Sequence, residues 1–135
     1  MIKVLCITLL AFSSTTFAGS DNISGNYSGK NRDAQFEQLK NGDVKFYISG
    51  IGIGSQYSCN VGSEIGDGDP AQKLKVSVLK MNGSTGGFTD ADNSISVEFG
   101  KKSARVIVGK SSCIIDGTYK KTGGKKSVNW IGGGD

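Results

Sequence analysis

The stretch Cys113-Ile114-Ile115-Asp116-Gly117-Thr118-Tyr119-Lys120 decides how this chain is read. Side chains along a β-strand point alternately to opposite faces, so Cys113, Ile115, Gly117 and Tyr119 fall on one side. Asp116, Thr118 and Lys120 fall on the other, the pattern of a half-buried terminal strand. The spacing Ile-x-Gly-x-Tyr recurs near the start of the chain, at Ile23, Gly25 and Tyr27. That echo gives Gly25, Tyr27, Gly117 and Tyr119 a structural role. It predicts first and last strands lying side by side in one all-β body.

The segments upstream agree with this class. Asn41-Gly42-Asp43 carries the Asn-Gly hairpin signature, and Val44, Phe46 and Ile48 then alternate with Lys45, Tyr47 and Ser49. Gly50-Ile51-Gly52-Ile53-Gly54 reads either as a strand packed where no side chain fits on one face, or as a mobile loop. A strand over 55–61 carries Cys59, and the strand over 73–80 should turn Leu74, Val76 and Val78 inward. Ile95, Val97 and Phe99 precede a Gly100-Lys101-Lys102 turn, and Ala104, Val106 and Val108 follow it. No segment sustains an apolar stripe of helical period. About eight short strands with regular turn signals predict an antiparallel β-barrel or sandwich, lipocalin-like in size.

The chain has 135 residues. Residues 1–18 read as a secretory leader: Lys3 is followed by the apolar run Val4 to Phe12 and by the small-x-small site Thr16-Phe17-Ala18. Cleavage near Ala18 and a periplasmic or secreted location are expected, with no transmembrane segment, because the run is too short to span a bilayer. Residues 19–121 then form a single β-domain, and 122–135 a Gly/Lys-rich tail or edge strand containing Trp130. Cys59 and Cys113 remain once the leader with Cys6 is removed, and two cysteines in an exported chain predict a disulfide. Closing a loop of roughly 55 residues is worth about 4 kcal/mol in the chain-entropy treatment. That is a large share of the roughly 5–15 kcal/mol net stability of a small domain.

The chain contains no histidine, which excludes Ser-His and Cys-His nucleophile activation and the common zinc sites. Glu64, Asp67 and Asp69 lie in a glycine-rich acidic loop and read as solvated turn residues. Asp67-Gly68-Asp69 and Asp90-Ala91-Asp92-Asn93 supply hard oxygen atoms, but neither completes a D-x-[DN]-x-[DN]-G calcium loop. No catalytic residue, metal ligand or cofactor is assigned. A net charge of +4 is too mild and too dispersed to indicate a nucleic-acid partner.

Cys59, the Thr89-Asp90 connector, Ile95-x-Val97-x-Phe99 and the closing Cys113…Asp116-Gly117-Thr118-Tyr119-Lys120-Lys121 resemble a group of small exported bacterial β-domains with a single disulfide. The resemblance covers most of the chain after the leader and implies architecture rather than activity. A more distant similarity is to periplasmic lysozyme inhibitors, which present a Ser-Gly-x-x-Tyr loop to the enzyme's cleft. Here Ser24-Gly25-Asn26-Tyr27 is one residue shorter and lies in a strand pattern, so no inhibitory residue is carried over.

These readings predict a non-enzymatic binding protein whose partner is another protein, such as a wall hydrolase or a toxin. The candidate contacts are Gly52, Ile53 and Gly54, the acidic Glu64, Asp67 and Asp69, and the basic turn Lys101-Lys102. Two other classes stay open: a carrier holding a small apolar ligand inside the barrel, and a structural or adhesive component of the envelope.

Overall fold

The computed structural model describes residues 22–66, 71 and 73–123. The leader, Asp67, Asp69 and the 127–131 segment with Trp130 lie outside them. The described residues form ten strands and no helix: β1 (Gly25–Gly29), β2 (Arg32–Gln38), β3 (Val44–Gly52), β4 (Ser58–Gly62), β5 (Val78–Asn82), β6 (Thr85–Thr89), β7 (Ser94–Gly100), β8 (Ser103–Lys110), β9 (Cys113–Ile114) and β10 (Gly117–Lys121). Neighbours run β2-β1-β10-β8-β7-β6-β5-β3, and β3 pairs back onto β2. Eight antiparallel strands therefore close into a barrel, with β4 and β9 attached to β3 as extra strands. Closure leaves the eight strands no free edge among themselves.

The expected adjacency of the ends is present: Tyr27 pairs with Lys121 and Ser28 with Lys120. Both Ile-x-Gly-x-Tyr segments make the same local bond. The Tyr27 hydroxyl donates to the Ile23 carbonyl at 2.8 Å, and the Tyr119 hydroxyl donates to that of Ile115. Burial pushes the Tyr119 phenol well above its ordinary pKa, and the Asp116 and Asp33 carboxylates add to the rise against the opposing charge of Arg32.

Side chains fill the barrel. Phe36 stands between Tyr27 and Phe99, edge to face at 5.1 and 4.9 Å, and Phe46 meets Phe88 at 5.0 Å. Ile48, Leu79, Val97, Val106, Ile115 and Tyr119 are fully buried around them.

Two expectations fail in strand detail in the second half of the chain. The terminal stretch is not one strand. Cys113 to Ile114 pairs with β3, whereas Gly117 to Lys121 pairs with β8 and β1. Gly117, at φ +127°, permits the change of neighbours. The alternation itself holds, with Cys113, Ile115 and Tyr119 buried and Ile114, Asp116, Thr118 and Lys120 exposed.

The second failure is one of phase. The strand begins at Val78 rather than Lys73, and Ser77 and Leu79 face inward while Val76 is exposed. Ser63 sets this register. Its hydroxyl donates to the Ser77 carbonyl at 2.9 Å and accepts from the Ser77 N–H at 2.7 Å, and Phe46 N–H reaches the same carbonyl at 3.3 Å. A one-residue slip moves every side chain to the other face, so one anchored serine decides the segment.

Candidate partner-binding surface

The glycine-isoleucine run is a strand through Gly52, not a loop. A Cβ on Gly50 would lie 2.2 Å from the Ile114 carbonyl oxygen, so β9 can cross here only over a residue without a side chain. Cys59 is the cross-strand partner of Gly50, and Cys113 that of Gly52. The two cysteines are bonded, with Cα atoms 5.5 Å apart. The disulfide therefore ties β4 to β9 at the point where β3 leaves the barrel.

Beyond that tie the chain turns back through 53–57. Gly52 N–H donates to Tyr57 O at 3.1 Å, Ser55 N–H to Gly52 O at 3.0 Å, and Tyr57 N–H to Ser55 Oγ at 3.0 Å. Ile53 N–H is held by Ser112 O at 2.9 Å, which binds the tip to the segment before β9. On this braced hairpin Ile53 is 66% exposed and Tyr57 76% exposed. Exposed Ile114 pairs with Ile51 just behind them. A large aromatic and a β-branched side chain held outward on fixed backbone are poor for solubility and well suited to insertion into another protein's cleft.

The three groups of candidate contacts do not form one surface. Gly52, Ile53 and Gly54 occupy the hairpin. Glu64 lies lower on the barrel wall, exposed, with its N–H bonded to Lys75 O at 2.9 Å. Lys101 and Lys102 form the turn between β7 and β8, at the opposite end of the barrel from the hairpin. Tyr57 is the residue that sequence reading missed. It falls inside the strand expected over 55–61, whereas the strand starts at Ser58 because Ser55 caps the turn.

A polar groove runs beside β4, with a volume of about 470 Å³ between Tyr47, Asn60, Glu64, Lys75 and Asn93. It adjoins a second depression of about 520 Å³ lined by Asp90, Lys110 and Ser111, among others. Asp90 closes the turn there. It accepts from the N–H groups of Asp92 at 2.9 Å and Asn93 at 2.7 Å, and these bonds hold its pKa below the ordinary carboxylate value. Ser111 Oγ donates to Asn93 Oδ1 at 2.8 Å and accepts from Cys113 N–H at 3.0 Å, which connects this turn to the disulfide. Among the described residues no three His, Cys, Asp or Glu side chains converge as a metal site. No helix there is long and apolar enough to cross a membrane.

Ser24-Gly25-Asn26-Tyr27 does not protrude. Ser24 and Tyr27 are buried in and beside β1, and Ser24 Oγ accepts the Gln38 N–H at 2.9 Å. No known protein family, curated protein or solved structure matches the chain.

Proposed function

We propose that this chain is an exported, non-catalytic binding protein that inhibits a cell-wall hydrolase by inserting its β3–β4 hairpin into the enzyme's cleft. The observation that carries this reading is the pair Ile53 and Tyr57, held outward on a hairpin whose base is closed by the Cys59–Cys113 bond. A rigid tip loses little conformational freedom on binding, so its apolar contacts convert efficiently into affinity. Filling of the barrel by aromatic side chains favours recognition on the surface over a ligand carried inside. The leader-like residues 1–18 supply the export that an envelope target requires.

The test is a lysis assay with the purified, oxidised protein against a panel of lysozymes and bacterial wall hydrolases. Stoichiometric inhibition of one enzyme is expected, and Tyr57→Ala should weaken it roughly 30-fold or more, as for a central aromatic contact. Ile53→Asp should abolish it without lowering the melting temperature. No inhibition across the panel removes the hydrolase as partner. Inhibition insensitive to both substitutions removes the hairpin as the site.

A further inference from the structure

The two ends of the barrel differ in chemistry. The apolar hairpin marks one end. At the other, the Lys101-Lys102 turn meets the last strand: Lys120 pairs with Ser103, and Lys121 N–H donates to Lys102 O at 2.9 Å. The carboxylates near this end are already engaged. Asp43 contacts Lys80 at 3.0 Å, Glu37 contacts Lys45 at 3.3 Å and Glu98 contacts Arg105 at 4.0 Å. Among the described residues Lys101, Lys102 and Lys120 are exposed with no carboxylate partner.

A second observation separates this turn from ordinary solubilising lysines. Four other hairpin turns place a residue at positive φ, and each uses a residue suited to it: Asn31, Gly42, Gly54 and Gly83. The β7–β8 turn alone puts a lysine there, Lys102 at φ +60°. A long side chain at that angle is less stable than Gly or Asn, so the position retains charge at the expense of fold stability.

We infer that this end is a docking surface for the phosphate groups of an anionic lipid membrane, with Lys101, Lys102 and Lys120 as the principal contacts. Several cations on one blunt end suit a planar array of headgroups, whereas a single soluble anion needs a concave cradle. Docked this way, the barrel would hold the Ile53–Tyr57 hairpin away from the membrane. The inference does not depend on what that hairpin binds.

The test is flotation of the exported full chain with vesicles of phosphatidylcholine alone or mixed with phosphatidylglycerol. Binding to the mixed vesicles only is expected at about 0.1 M salt, lost near 1 M where the screening length falls to about 3 Å. Each lysine contributes roughly fivefold, so replacing Lys101, Lys102 and Lys120 by Gln should weaken binding about 100-fold. Lys30→Gln with Lys110→Gln, in the β1–β2 turn and beside the β6–β7 turn at the hairpin end, should leave it unchanged. Lys102→Asn should raise the melting temperature while weakening vesicle binding, an opposition that a purely structural residue would not produce. Absence of binding to the mixed vesicles, equal loss in the Lys30/Lys110 variant, or full displacement by inorganic phosphate at constant ionic strength would overturn the inference.

Discussion

Tyr27 and Tyr119 stand on the neighbouring strands β1 and β10, each with its hydroxyl donated to the carbonyl four residues earlier in the chain. The two bonds tie the entry of the first strand and the entry of the last strand to the same buried layer. Tyr119→Phe should cost about 1–3 kcal/mol, because it leaves the buried Ile115 carbonyl without its donor. Tyr27→Phe should cost less than this, near the lower figure. Urea denaturation of each variant measures both, and equal stability to the parent would show that water replaces the bonds.

Gly50→Ala places a methyl group 2.2 Å from the Ile114 carbonyl oxygen, a backbone atom that cannot rotate away. A loss of at least about 1–3 kcal/mol is expected from overpacking alone. Gly87→Ala, a strand glycine with nothing within 4 Å of its added Cβ, provides the contrast. It should be neutral or stabilising by up to about 1 kcal/mol, through the unfolded chain. Thermal melts of the two variants should move in different directions.

Ser63→Ala should uncouple the segment before β5. The hydroxyl is the common partner of the Ser77 N–H and carbonyl, and both are buried. A cost of about 1–3 kcal/mol is expected for the orphaned N–H. Hydrogen exchange at Ser77 should accelerate far more than at Phe36 or Val97. Uniform acceleration would mean that the bridge contributes only to global stability.

Reduction of Cys59–Cys113, or its replacement by serines, should lower stability by about 4 kcal/mol from the denatured-state loop alone. It should also free the hairpin locally, because β4 and β9 lose the bond that holds both across β3. Limited proteolysis should then cleave near 53–57 before the barrel opens. Cleavage first within the barrel strands would contradict the brace assigned to this bond.

The acid limb of stability should depend on Asp43. The hydrogen bond from Lys80 Nζ at 3.0 Å and that from Met81 N–H at 3.2 Å hold its pKa below the ordinary 3.8. A carboxylate with a depressed folded-state value contributes stability that is complete above the unfolded value. That contribution disappears as the pH falls through the folded one. Stability should therefore decline below about pH 4, and Asp43→Asn should flatten part of that decline. High salt should reduce the effect, since Lys80 is well exposed.

How much of this was legible beforehand differs from element to element. The Asn-Gly turn before Val44, the inward Phe46 and Ile48, and the paired ends at Tyr27 and Tyr119 follow from local chemistry and period. The run Gly50 to Gly54 left strand and loop open, and the close approach that its glycines signal is met at Gly50, under the Ile114 carbonyl. Tyr57 was not legible as part of the tip, since an aromatic among polar neighbours fits a strand as readily as a turn. The clustering of Lys101, Lys102 and Lys120 was only partly visible, since their proximity depends on β8 pairing with β10.

The amino-acid sequence by itself determined the all-β class, the alternation of faces, the disulfide and the meeting of first and last strands. Each rests on residue type at short spacing or on the count of cysteines. Only the tertiary structure decided the phase of the segment around Ser77, the division of the terminal stretch into β9 and β10, and which charged groups share an end. Period-2 alternation states that two faces exist but not which one meets the core. That choice is made by a partner distant in the chain: Ser63 for Ser77, and the bare face of Gly50 for β9.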